Sequence, residues 1–147
     1  MHVVILAEFA SASGGAEKVA LESAHGLAES GVEVTYIQGI SGPVDGLLDH
    51  ARIRRVELGL PDIWSLGPAR AAAAGIWHAT AAARLAAALD GLRVRPDCVH
   101  LHQWTRSLSP AVFPGEMRSP TRSAPISSAT ASTTSAAKRA RFCAEPP

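Results

Sequence analysis

Apolar positions along the chain follow two rhythms. Val3-Val4-Ile5-Leu6 is an unbroken aliphatic run, rich in β-branched residues and bounded by a polar loop. Such a run suits a strand buried on both faces, as in a parallel sheet covered by helices. From Ala16 the spacing becomes helical, with Ala16, Val19, Ala20, Ala24, Leu27 and Ala28 on one stripe and Glu17, Glu22 and Glu29 off it. Gly31, a residue that tolerates positive φ, ends this helix, and residues 32–38 read as a second strand.

The alternation continues. Residues 39–46 form a turn region, residues 44–50 hold one short helical segment, and residues 53–58 read as a third strand with Arg52, Arg54 and Arg55 at its start. A loop over 59–67 carries Pro61 and Trp64, and Pro68 is placed to open a helix. Residues 69–90 are alanine-rich, with high intrinsic helix propensity. Trp77, Ala81, Leu85, Ala88, Leu89 and Leu92 recur at helical spacing, which predicts a single helix here. Arg95-Pro96-Asp97 then leads into a fourth strand over 98–102, and residues 107–113 look like the beginning of another helix. This order predicts an α/β fold, a doubly wound parallel sheet, with its ligand crevice at the carboxyl ends of the strands.

After residue 113 the pattern stops. Of the 34 residues from Pro114, ten are Ser or Thr and five are Pro, while large apolar residues shrink to Met117, Ile126 and Phe142. That composition cannot bury enough apolar surface to offset the entropy of ordering the chain. The expected organisation is therefore a partial domain over 1–113 and a disordered tail over 114–147. The tail reads either as native basic sequence or as the product of a frame interruption, since GC-rich codons read out of frame give this mixture. Interruption is favoured because the helix begun near Ser107 is cut after about two turns. A sheet stopped at its fourth strand leaves an uncovered edge, through which self-association is expected.

The formal net charge of +1 hides a split, with nine Lys/Arg against eleven Asp/Glu up to Phe113 and five against two beyond it. Arg118, Arg122, Lys138, Arg139 and Arg141 are scattered, without aromatic interleaving or an amphipathic stripe, so no nucleic-acid partner is expected. Cys98 and Cys143 form neither a disulfide framework nor zinc spacing. No stretch approaches the roughly 18 apolar residues of a transmembrane segment, and the chain reads as cytoplasmic.

Chemistry concentrates at two places. Gly14 and Gly15, just before the first helical turn, let the backbone approach a ligand, and the free amides of that turn would face it. Glycine used only for packing is the alternative, with Glu17 already complementing the helix dipole. The segment is not the G-x-G-x-x-G dinucleotide fingerprint, and no G-x-x-x-x-G-K-[ST] frame fits Lys18-Val19. Nicotinamide and nucleoside triphosphate chemistry lose weight, and no cofactor is expected. The second place is the end of the fourth strand. His100 and His102 project to one face, but zinc needs three or four ligands and no third is apparent, so no metal site is expected. His102, Gln103 and Trp104, followed by Thr105 and Arg106, offer imidazole, amide, indole and guanidinium groups that can hold hydroxyl or phosphate groups. The alternative is that His100 is a core histidine and Trp104 packs on the next helix; for His102 the ligand-facing reading is preferred.

These residues resemble a known family. The opening E-F-x-x-x-x-G-G-A-E-K-V-A-L-E-x-A-x-G-L-A-E-x-G-x-E-V-T (residues 8–35) and P-D-C-V-H-L-H-Q-W (residues 96–104) look like the amino-terminal domain of GT-B glycosyltransferases of the family 4 type. The resemblance implies a Rossmann-like half of a two-domain enzyme that transfers a sugar from a nucleotide-sugar donor to a hydroxyl acceptor. In this hexosyltransferase-like chemistry, configuration is retained at the anomeric carbon. It implies that Gly14 and Gly15 line the cleft near the donor pyrophosphate and the acceptor, and that His102, with Gln103 and Trp104, faces the same cleft on the acceptor side. Departures stand beside it. The family's next strand carries a histidine, often as T-L-H-D, whereas residues 126–135 here contain none. The carboxyl-terminal domain, with most donor contacts and a paired-glutamate motif in the family, is expected to be lacking, so no catalytic residue is assigned and the chain is expected to be inactive alone. The competing expectation is a small non-catalytic binding or regulatory module that uses the Gly14-Gly15 crevice.

Overall fold

The structure, a computed structural model, describes residues 1–112. The expected tail over 114–147, and Phe113 before it, lie outside the described residues.

Four strands, β1 (His2–Ala7), β2 (Glu33–Ile40), β3 (Ile53–Leu60) and β4 (Cys98–Leu101), form one sheet in the order β3-β2-β1-β4. Every pairing is parallel, and Leu6 of the central β1 stands opposite Ile37 on one side and Leu101 on the other. Alternate side chains of β1 enter different cores. Val3, Ile5 and Ala7 pack with Ala20, Leu21, Ala24 and Ala28 of α1 (Gly15–Glu29). On the other face, Val4 and Leu6 pack with Ala81, Leu85 and Leu89 of α3 (Ala79–Asp90). None of residues 3–7 is more than 2% exposed, which explains the unbroken apolar run at the start of the chain. The fold is a doubly wound α/β sheet, Rossmann-like as expected.

The face that α1 buries is turned from the expected stripe. Val19 is 51% exposed and Ala16 is also exposed, while Leu21 and Glu17 are buried. Leu21 is larger than any alanine of the stripe, and enclosing a leucine stabilises by about 1.5–3 kcal/mol. One turn before it lies Glu17, so burying Leu21 commits Glu17 to the same side. At its other end α1 closes as expected. Gly31 adopts φ 89°, its N–H donates to Ala28 O at 3.0 Å, and the Val32 N–H donates to Leu27 O at 3.0 Å. This paired closure satisfies carbonyls that the helix end leaves open, with Leu27 and Val32 both packed on the core.

The single helix expected over 69–90 is two helices. The shorter α2 (Pro68–Ile76) ends where Trp77 turns extended, at φ −151° and ψ 105°, and α3 starts after His78. His78 is held from outside the segment: its backbone N–H donates to Ser109 Oγ at 2.9 Å and its Nδ1 donates to Ser107 O at 3.0 Å. Tertiary hydrogen bonds here override alanine's local propensity. Trp77, expected on the packed stripe, is 58% exposed, and no residue of α2 is buried.

Smaller departures have local causes. Residues 44–50 give only a 3-10 turn, Gly46–Leu48, capped by the Asp45 carboxylate on the Leu47 N–H at 3.0 Å. β3 runs two residues beyond its expected end because Gly59 takes φ 60° and Arg84 Nη1 donates to the carbonyls of both Leu58 and Gly59 at 2.6 Å. Up to residue 112, the helix expected from Ser107 is a turn followed by a 3-10 turn, Pro110–Val112. Leu108 and Val112 are both buried in the α3-side core.

Candidate functional site

The topology brings two connections to the carboxyl end of the sheet. From β1 the chain passes through α1 on one face to β2, whereas β3 leads by way of α2 to α3 on the other face and then to β4. The winding reverses between β1 and β4, so the segments leaving these adjacent strands diverge to opposite faces. Gly14 and Gly15 belong to the first segment and His102, Gln103 and Trp104 to the second. The His102 N–H donates to Leu6 O at 3.0 Å and extends the β1 to β4 ladder by one bond.

Gly14 is the extended N-cap of α1, without a side-chain capping bond. A Cβ built on Gly14 would stand 2.7 Å from Glu17 Oε2, whereas one on Gly15 would meet nothing within 4 Å. The open space therefore lies over Gly15, and Glu17, 6% exposed, occupies the ground beside Gly14. A carboxylate there complements the positive end of α1 from within the protein.

An ionic cluster that the sequence reading did not assemble ties the strand ends together. Glu8, the first residue past β1, is 0% exposed. Its Oε1 accepts the backbone N–H of Ser107 at 3.0 Å and that of Arg106, while its Oε2 has no partner among the described residues. Burial raises the Glu8 pKa above the ordinary carboxylate range, against the two amide hydrogen bonds and the Arg106 charge, which lower it. Arg106 in turn is gripped by Asp62, with Nη2 donating to Oδ2 and Nε to Oδ1 at 3.3 Å. Burial works to raise the Asp62 pKa, but the hydrogen bonds from Arg106 and the Trp64 amide, with the Arg106 charge, bring it below the usual value. The guanidinium also lies 4.7 Å from the centre of the Trp64 ring and 5.0 Å from that of Phe9. In this way Arg106 joins the segments after β1, β3 and β4. The available sequence signal was a charge directly following an apolar strand, at Glu8; nothing in the spacing pointed to Asp62.

His102 is half-buried, its ring centre 4.1 Å from that of His100, which is half-buried rather than enclosed in the core. Burial, with the neighbouring His100 charge, lowers the His102 pKa to about 4, so its imidazole is neutral near pH 7. Its Nε2 is buried without a partner among the described residues. Ser107 Oγ likewise has no partner among the described residues, and a Cβ on Gly39 would stand only 2.4 Å from it. Gln103 is half-buried, and Trp104 is 38% exposed rather than packed away. No three His, Cys, Asp or Glu side chains among the described residues come together as a metal-binding group.

Residues 14–145 match the family model of the glycosyl transferase 4-like domain. The chain belongs to that family. The match starts on Gly14, and it includes all five residues singled out as ligand-facing. Neither a curated protein nor a solved structure gives a significant match. As a glycosyl transferase 4-like domain, the chain carries Gly14, Gly15 and His102 on the segments that leave two adjacent strands of one sheet. No helix among the described residues is long and apolar enough to cross a membrane.

Proposed function

We propose that this glycosyl transferase 4-like domain forms the acceptor-side wall of a GT-B sugar-transfer cleft, receiving a hydroxyl acceptor opposite a nucleotide-sugar donor, and that the chain alone does not catalyse transfer. One observation carries the reading. Glu8 Oε2, His102 Nε2 and Ser107 Oγ are buried polar atoms without partners among the described residues, and all three belong to the segments following β1 and β4. Buried polar groups in proteins are normally paired, so unpaired ones at a topological switch point favour a ligand or ordered water there.

In this reading Gly15 provides room for the donor diphosphate near the amides that open α1. Neutral His102, with Gln103 and Trp104, orients the acceptor; a neutral imidazole both donates and accepts hydrogen bonds. Transfer through an oxocarbenium-like transition state with a departing diphosphate needs positive charge fixed close by. At this end Arg106 is already engaged by Asp62, and Lys18 lies 3.9 Å from Glu22 on the exposed face of α1. The missing cations and donor contacts would come from an opposing domain, and without them several powers of ten in rate are forfeited.

An assay of the purified chain with common nucleotide sugars and a panel of hydroxyl acceptors should give no turnover. Turnover that Gly15→Val abolishes would overturn the claim of inactivity. Reading the gene beyond the Phe113 codon in the other two frames tests the origin of the expected tail. A T-x-H-D strand and a carboxyl-terminal domain encoded there would place this chain as part of an interrupted transferase; their absence would favour a stand-alone binding module.

A further inference from the structure

At the opposite end of the sheet a cavity of about 400 Å³ opens between the amino ends of β1, β2 and β3 and the connection from α3 to β4. That volume is of the order that holds a small molecule. Arg52, Arg54, Arg93 and Arg95 line it, against only two acids, Glu33 and Asp97. Both acids are committed. Arg52 Nη1 donates to Glu33 at 3.0 Å, and the backbone N–H of His2 donates to Asp97 Oδ2 at 2.8 Å.

The side chains of Arg54 and Arg93 make no hydrogen bond or ion pair among the described residues. An arginine just beyond a helix end complements the helix dipole, which accounts for Arg93 after α3. It does not account for Arg54, which lies on β3. The same wall presents apolar surface to solvent, with Val94 63% and Met1 71% exposed beside Leu92 and Ile53. Guanidinium groups suit the several acceptor oxygens of a phosphate dianion, and the apolar wall suits an uncharged organic body attached to it. The cavity is lined by no Phe, Tyr or Trp on which bases would stack, which disfavours a nucleic-acid strand.

We propose that this amino-end cavity binds a small organic phosphate, a phosphate monoester whose phosphate is held by Arg54 and Arg93 and whose organic part lies on Val94 and Leu92. The site is separate from the transfer crevice and does not depend on the function proposed for it.

Phenyl phosphate is a suitable probe, followed through the amide resonances of the isotope-labelled full chain. Saturable shifts at Ile53, Arg54 and Val94 are expected, with Gly14, Gly15 and His102 unmoved. The double variant Arg54→Ser, Arg93→Ser should weaken this binding by about tenfold or more, whereas Arg70→Ser on α2 should leave it unchanged. Thermal melts of all variants confirm that they fold, and single substitutions replace the double variant if it does not. Inorganic phosphate should bind more weakly than phenyl phosphate. Absence of shifts at the amino end, shifts that persist in the arginine variants, or equal binding of inorganic phosphate would overturn the proposal.

Discussion

At the carboxyl ends of the strands, Glu8, Asp62 and the nearby Glu17 stand around Arg106, whereas at the amino ends four arginines stand around Glu33 and Asp97. The two ends also differ in depth. Glu8 is wholly buried and spends its charge on the protein's own amides, while Arg54 and Arg93 are exposed to solvent. A formal net charge of +1 averages these into near neutrality. One sheet can therefore hold two different electrostatic surfaces, one built into the fold and one presented outward.

Substitutions should separate the ends by the size of their effects. Glu8→Ala, which strands the amides of Arg106 and Ser107, should destabilise the chain by about 2–4 kcal/mol in urea denaturation, with Glu8→Gln costing about half as much because an acceptor oxygen remains. A loss below that of a surface substitution would show that Glu8 is not a structural clasp. Gly39→Ala should cost about 1–3 kcal/mol through overpacking against Ser107. Adding Ser107→Ala removes the colliding and unpartnered oxygen, so most of that loss should return in thermal melts of the double variant; purely additive effects would refute the contact.

The pH response provides a third separation. With its folded pKa near 4 and an ordinary value of 6.5, His102 leaves the folded state short of a proton that the unfolded chain binds between those pH values. Its contribution to stability is present above pH 6.5 and is lost as pH falls towards 4. Glu8 has the opposite sign: its raised folded pKa contributes stability at low pH that is lost as pH rises through that value. Relative to His102→Asn, the wild type should thus lose stability between pH 6.5 and 4, measured by denaturation at each pH; parallel curves would count against a desolvated His102. The smallest effect belongs to the amino end, where Glu33→Gln breaks an exposed pair with Arg52 and should change stability by less than about 1 kcal/mol.

Much of this organisation was legible along the chain, and the part that was not has a common origin. β1 could be read because a strand covered on both faces needs no polar alternation, and Gly31 because the end of α1 demands positive φ. The alternation of strands and helices implied the strand order, which places Gly14, Gly15 and His102 on segments that leave the carboxyl ends of β1 and β4. What escaped depends on partners far apart in sequence. His78 breaks the alanine-rich stretch through Ser107 and Ser109, and Glu8 reaches amides 98 and 99 residues away. Glu17 was misplaced for a subtler reason, since Leu21 rather than the alanines decides which way α1 faces.

α2 has a further consequence. A helix with no buried residue, beginning after an N-cap without a side-chain bond and ending at an exposed Trp77, contributes little to the cooperative unit formed by the sheet, α1 and α3. Its amides belong to the low end of the opening free-energy scale. Hydrogen exchange should find them unprotected well before β1, and a protease given brief access should nick the chain there while the rest of the molecule stays closed.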